Sequence, residues 1–326
     1  MQMTNDNYKG TGVLVFSENE TLVLELLSKG REFADKLNTE LHSVLLHTSN
    51  DDVIKTMIAH GADKVYKLTP VVEKFDTEQY TNKLTKIITE LQPQIILMAS
   101  NRIGKEIAPR LASKFNSCSA AECISAELND NNDLIINRVV YSGNGVATQQ
   151  FASKPQIITL AAQTFKPKPR DDAKQGEVIE KNIEDISTNV KVVNISERSS
   201  GAICIEDAEF IVSFGRGIKN KEDIQMIKEL AGTLKGEIGC SRPIASDLKW
   251  LPTEHWVGLS GHKVKPRIYI ACGISGQIQH LAGMRDSDII VAINKDPEAP
   301  IFNAADYGIV GDIYKVVPEL IQQLKQ

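Results

Sequence analysis

No CxxC pair occurs in this sequence, and its five cysteines (Cys118, Cys123, Cys204, Cys240 and Cys272) are odd in number and scattered. That pattern argues against a disulfide framework, a zinc knuckle or an iron–sulfur cluster, and leaves mostly buried thiols. Long apolar runs are missing too. QIILMA (Gln94 to Ala99) and DIIVAI (Asp288 to Ile293) fall far short of what a bilayer demands, so no membrane span is expected. The N-terminus, MQMTNDNYKGTG, carries neither a charged-then-apolar signal nor an Arg-rich amphipathic address, which makes a cytoplasmic location the expectation. Basic residues form no dense block: 37 Lys and Arg stand against 42 Asp and Glu, a net charge of −5, so nucleic acid is not expected as a partner.

What is present is an ordinary globular composition, 42% hydrophobic and 24% charged, over 326 residues, enough for two domains. From Gly12, strand and helix patterns alternate. VLVF is a short strand, Glu20 to Leu37 puts Val23, Leu26, Leu27, Phe33 and Ala34 on one helical stripe, and HSVLLH is a second strand. A helix closed by Gly61, the strand KVYKL, a helix from Thr77 to Leu91 stopped by Pro93, the all-apolar QIILMA and a helix over KEIAPRLASKF follow. NRVVYSGNG, VATQQF and PQIITLAA predict an antiparallel extension. The polar stretch from Phe165 to Ser200 marks a linker or peripheral strand on which the second domain would pivot, and places the domains at 1–200 and 201–326.

A second cycle runs through EFIVSF, GRG, a helix from Lys221 to Leu234, EIGCSR, RIYIAC, GISGQIQHLAG, DIIVAIN and IYKVV, before a final helix with Pro318 at its first position. The fold class expected is α/β, with two domains, each a mainly parallel doubly wound sheet. In such sheets ligands bind at the carboxyl ends of strands. Here four strand ends carry Gly, Ser, Arg and Asn: Gly215-Arg216-Gly217, Cys240-Ser241-Arg242, Gly273-Ile274-Ser275-Gly276 and Asn294. That vocabulary suits an extended anionic ligand. With Ser275 as N-cap, a helix start would point free N–H groups outward, Gly276 would admit an anion, His280 would stand one turn below, and Ile278 would face the core. GISG alone is a weak signal, and GISGQ lacks the second glycine of a serine-hydrolase elbow.

GRG, the SR of CSRP, SGHK, GISGQIQHLAGM, VAINKDPEAPIF and ADYGIVGD, in this order and spacing, resemble the C-terminal flavin-binding domain of the electron transfer flavoprotein alpha subunit family from Phe210 to Leu324. The resemblance implies that the C-terminal domain binds FAD and that the partner is a beta subunit carrying AMP or a second FAD. Arg216 then matches a position near the FAD phosphates. Ser241 and Arg242 match the serine and arginine beside the isoalloxazine. Val257, Gly258, Leu259 and Ser260 match the loop at its N5 edge. Ser275, Gly276, Gln277, Ile278, Gln279 and His280 match the helix start, with His280 at the pyrimidine edge. Asn294, Asp312 and Ile313 match positions toward the adenosine. WVGLSGHK departs from the commoner VGQTGK at Leu259 and Ser260, a variant compatible with NADH-dependent electron bifurcation. The function implied is an electron carrier, rather than a stand-alone enzyme, working between an acyl-CoA-type dehydrogenase and another redox partner. No catalytic residue and no metal are expected.

The residues alone leave two other readings open: a self-sufficient NAD(P)-linked flavin oxidoreductase, and a non-redox nucleotide-binding regulator. Trp250 and Trp256 are expected to pack or to meet a partner, and SNRIG (Ser100 to Gly104) to belong to a platform for subunit contact rather than to a nucleotide loop.

Overall fold

The computed structural model describes residues 8–141, 145–162, 164–188, 190, 192–194 and 205–325. Two compact units, Met1–Ser196 and Glu197–Gln326, make up the chain. The boundary expected at Ser200, Cys204 and the turn residues 142–144 lie outside the described residues.

The N-terminal unit is built on β1 (Val13–Phe16), β2 (Leu41–Leu45), β3 (Lys64–Thr69), β4 (Ile95–Ala99), β5 (Ser119–Leu128), β6 (Leu134–Val140), β7 (Gly145–Gln150), β8 (Gln156–Leu160) and β9 (Glu177–Asn182). They form one sheet in the order β7-β6-β5-β8-β4-β1-β2-β3-β9. Its helices begin and end where short-range chemistry dictates. In α1 (Glu20–Leu37), Asn19 accepts from the Thr21 and Leu22 amides, and Asn38 closes the helix in the left-handed region. In α3 (Thr77–Leu91), Asp76 caps the start, and left-handed Gln92 ends the helix just before Pro93. β1 is buried on both faces: Val13 and Val15 pack toward α1, while Leu14 and Phe16 pack against α3 and α4 (Arg102–Lys114). This is the double winding that alternation predicts.

PQIITLAA is a correction. Its strand β8 is not part of an antiparallel extension but runs parallel between β4 and β5, with all five residues buried; only β5, β6 and β7 pair antiparallel. An unbroken apolar run belongs in the middle of a sheet, whatever turn residues precede it. SNRIG is packed by its own chain. Asn101 caps α4 by accepting from the Gly104 amide at 2.9 Å and donates to Glu18 at 2.6 Å, and a methyl group on Gly104 would sit 1.9 Å from the Ala99 carbonyl. The cavity beside Ala99 and Leu160 measures only about 10 Å³.

The C-terminal unit has an all-parallel sheet of β10 (Phe210–Phe214), β11 (Glu237–Cys240), β12 (Ile268–Cys272), β13 (Ile289–Asn294) and β14 (Tyr307–Val310), in the order β11-β10-β12-β13-β14. Val212, Phe214 and Ile270 pack one face against α5 (Ile224–Thr233) and α7 (Ile313–Leu324). Ile211, Tyr269 and Ala271 pack the other against Val257, Val264, Met284 and Ile301. Because β10 lies between β11 and β12, the winding reverses there, and the carboxyl ends of β10 and β12 form the switch point.

The C-terminus differs from expectation. IYKVV is not a strand: α7 starts at Ile313 under the cap of Asp312, Pro318 sits inside it, and the strand is YGIV instead. Ile313, Val317 and Ile321 recur at four-residue spacing and are buried together, so packing outweighs the one backbone bond that the proline removes.

Candidate functional site

Two glycine loops meet at the switch point. The Gly215 and Gly217 amides donate to the Cys272 and Gly273 carbonyls, each at 3.1 Å. A Cβ on Gly217 would lie 2.6 Å from Gly273 Cα, and Gly273 itself has φ +62°. The small residues are there so that one backbone can lie on another. Asn294, at the end of β13, donates to the Ile274 carbonyl at 2.9 Å and ties the third strand end to the same loop. From the far side, the Leu259 amide donates to the Gln279 carbonyl at 2.7 Å, joining the Val257–Ser260 loop to the segment that carries His280.

These joined strand ends enclose a cavity of about 730 Å³, within the range of roughly 300–1,000 Å³ usual for cofactor sites. Of the residues singled out in the sequence, Arg216, Ser241, Arg242, Val257, Gly258, Leu259, Ser260, Ser275, Gln277, Gln279, His280, Asn294, Asp312 and Ile313 all line it; Gly276 and Ile278 do not. The helix start is therefore corrected. Gln277, not Ser275, precedes a helix of only four residues, Ile278–Leu281, too short to present a strong dipole. Gly276 (φ +85°) is packed tightly against its own chain: a Cβ there would meet Ile301 N at 2.2 Å. Ile278 is exposed, and His280 is the buried member of the turn. A single helical turn has no fixed core face, so the four-residue spacing expected of a longer helix does not apply.

The cavity wall is rich in cations. Arg216, Lys219, Arg242 and Lys295 line it, against two acids, Asp296 and Asp312. Asp312 is occupied by the cap it provides, accepting from the Tyr314 amide at 3.0 Å. Arg216 and Arg242 have no carboxylate partner among the described residues. The Arg242 guanidinium stands 5.8 Å from the centre of the Trp256 ring, a cation–π distance that gives the flexible side chain a seat. Trp256 thus lines the cavity as well as packing inward, which its sequence context did not reveal. Tyr314 was also missed. Its hydroxyl accepts from the Lys219 amide at 2.8 Å and donates to Asp223 at 2.6 Å, bracing the GRG loop against α7. The available signal was adjacency: each lies within two residues of one that was singled out.

His280 is only 7% exposed, and its Nε2 lies 3.0 Å from the hydroxyl of fully buried Tyr269. Burial pulls its pKa down to about 4, so at neutral pH the imidazole is uncharged and works as a hydrogen-bonding group rather than a cation. An unfolded histidine titrates near 6.5. Between those values the unfolded chain binds the proton and the folded chain does not, so this unit loses stability as pH falls from about 6.5 toward 4, by roughly 2–3 kcal/mol. Denaturant unfolding of the full chain at several pH values checks this, and His280→Gln should flatten that part of the curve. Cys240 and Cys272 beneath the site are held up at about 12 by burial, which keeps them unreactive thiols.

Comparison with known proteins decides the family. The profile of the electron transfer flavoprotein domain matches residues 13–186, and that of the electron transfer flavoprotein FAD-binding domain matches residues 204–285. The chain belongs to the electron transfer flavoprotein alpha subunit family. Alpha subunits from Thermoanaerobacterium thermosaccharolyticum and Clostridium acetobutylicum are 38% and 39% identical to it, covering 98% and 99% of this chain and 99% of each relative. A subunit named lactate dehydrogenase (NAD(+),ferredoxin) subunit LctC, from Acetobacterium woodii, is 34% identical over 93% of this chain and 73% of its own length. The C-terminal unit is the family's FAD-binding domain, and FAD is its cofactor. Among the described residues, no helix is long and apolar enough to cross a membrane, and no cluster could hold a metal ion.

Proposed function

We propose that this family member holds one FAD in the cavity of its C-terminal unit and, paired with a beta subunit, carries electrons between an acyl-CoA-type dehydrogenase and a second redox partner. The observation that carries the reading is the cavity at the switch point, cation-rich, of cofactor size, and lined by His280 and by two arginines, Arg216 and Arg242, that have no carboxylate partner among the described residues. Arg216 would hold the pyrophosphate, next to the backbone-packed glycines. Asn294, Asp312 and Ile313 would lie toward the adenosine. Ser241, Arg242, the loop from Val257 to Ser260 and His280 would surround the isoalloxazine ring.

Bound FAD supplies one-electron chemistry, and the protein supplies orientation and electrostatics. Arg242, seated on Trp256, would hold positive charge where a reduced flavin gathers negative charge. His280, neutral and buried, offers a hydrogen bond in place of charge. Ser260, which lines the same cavity, would present a hydroxyl to the N5 edge of the ring. A second reading, NADH-dependent electron bifurcation, is favoured by Leu259 and Ser260 in the variant loop and by the likeness to the subunit whose name includes NAD(+) and ferredoxin.

Coexpression with its beta subunit, followed by spectroscopy and a nucleotide count, tests both. A yellow heterodimer with FAD retained by this chain is expected. Two FAD per heterodimer select the bifurcating arm, and one FAD with one AMP selects the simple carrier. A colourless heterodimer that refuses FAD overturns the proposal.

A further inference from the structure

The loop that carries Ser260 has a support outside the cavity. Gly258 to Gly261 is a tight turn in which the Gly261 amide donates to the Gly258 carbonyl at 3.0 Å. Its base closes where the Gly258 amide donates to the His262 carbonyl at 3.1 Å and the His262 amide to the Trp256 carbonyl at 2.7 Å. The tip residues Leu259 and Ser260 are exposed, tied outward by the Leu259 amide, and the two glycines have no side chain by which to be held. Side-chain anchorage therefore comes at the base. Val257, fully buried, holds the incoming side, in one apolar cluster with Ile205 and Val264. On the outgoing side the His262 ring hydrogen-bonds through Nδ1 to Glu206 Oε1. A carboxylate accepts only, so the imidazole donates. Ile205 and Glu206 belong to the same 3-10 turn, Ile205–Asp207, so one short piece of chain grips both sides of the loop's base.

We propose that Glu206 and His262 are positioning residues for the flavin: the carboxylate holds the imidazole, the imidazole fixes the outgoing side of the loop, and the loop delivers the Ser260 hydroxyl to flavin N5. This rests on the FAD reading above. Neither side chain lines the cavity, so the pair acts through the loop and does not touch the cofactor. The demand on the loop is geometric. A hydroxyl hydrogen bond made near about 2.8 Å is gone by about 3.6 Å, so a displacement of less than about 1 Å decides whether N5 is bonded. A hydrogen bond to an ionised acceptor is about twice as strong as one between neutral groups, which suits Glu206 to the task although its side chain is 40% exposed.

The test binds FAD labelled with ¹⁵N at N5 to the full heterodimer and follows the N5 resonance by NMR, alongside a potentiometric titration of the flavin. Ser260→Ala defines the resonance of N5 without its donor. Glu206→Ala and His262→Ala are expected to keep FAD, to move N5 part of the way toward the Ser260→Ala position, and to shift the first reduction couple in the same direction as Ser260→Ala does. Glu206→Gln and His262→Asn keep an acceptor and a donor at the two ends of the contact, and should return N5 close to its wild-type resonance. In a Ser260→Ala background, Glu206→Ala should add nothing. An unmoved N5 in Glu206→Ala overturns the proposal. So does an unmoved N5 in Ser260→Ala, since the loop then has no hydroxyl to deliver, and so does a further displacement in the double variant, since the pair would then act by another route. If His262→Ala does not fold, the more exposed Glu206 decides through its Ala and Gln variants. A heterodimer that binds no FAD overturns the reading and the proposal together, whereas each outcome above overturns the proposal alone.

Discussion

Arg242→Ala is expected to lower the first reduction couple of the bound flavin by roughly 60–100 mV while leaving FAD content near that of the wild type. The guanidinium has no carboxylate to neutralise it among the described residues, and it is held at the cavity wall by Trp256. Removing one preorganised hydrogen-bond donor aimed at developing negative charge costs about 2.7–4 kcal/mol in enclosed sites. Arg242 is exposed, so about 1.5–2.5 kcal/mol is the better figure. For a one-electron couple each tenfold is about 59 mV, which gives the range stated. Arg242→Lys should recover only part of the shift, since a lysine keeps the charge but loses the planar seat on the indole. Spectroelectrochemical titration reads the result directly. An unmoved couple in a fully loaded Arg242→Ala protein would remove this arginine from the ring environment.

Gly276→Ala is expected to cost the C-terminal unit about 3–5 kcal/mol and to abolish FAD retention. Two terms add. The backbone at φ +85° is one that an L side chain adopts only at a cost of about 1–2 kcal/mol. The added methyl would then meet Ile301 N at 2.2 Å and Ile301 Cα at 2.4 Å, both backbone atoms that cannot rotate away. That contact is also where the Ile301 amide donates to the Ser275 carbonyl at 3.0 Å, so relief of the overlap breaks a bond that shapes the cavity wall. Gly232→Ala is the matching control: it lies in α5 with nothing within 4 Å of the new methyl, and should be neutral or stabilising by up to about 1 kcal/mol. Thermal unfolding should show a fall of about 10 °C or more for the first variant and none for the second. Equal midpoints would show that this turn is not packed as described.

Both predictions concern residues picked out in the sequence, and for each the structure adds a physical reason. Arg242 was singled out as a cation beside a ring, and the structure adds what holds it, Trp256, fourteen residues away in the chain and brought close by the Cys240–Trp256 bridge. Gly276 stands out in the sequence as a place for an anion to approach, and the structure adds that two chain segments touch there. A sequence shows that a position demands glycine but does not say what fills the space, because the occupant, Ile301, comes from a distant turn.

Local chemistry settled much of this protein in advance. The caps at Asn19 and Asp76, the left-handed stops at Asn38 and Gln92, the fully apolar β4 and the clustering of Gly, Ser, Arg and Asn after four strands depend only on near neighbours and on periodicity, so they can be read from the chain itself. Other features depended on which segments come to lie side by side. The insertion of β8 into the middle of the first sheet, the continuation of α7 through Pro318, the inward turn of His280 and its meeting with Tyr269, and the entry of Trp256 and Tyr314 into the cavity wall are of this kind. The physical reason is the same in each case: burial and hydrogen-bond partnership between residues far apart in sequence can outweigh a local preference of a kcal/mol or so, and only the packed tertiary structure determines which distant partners are available.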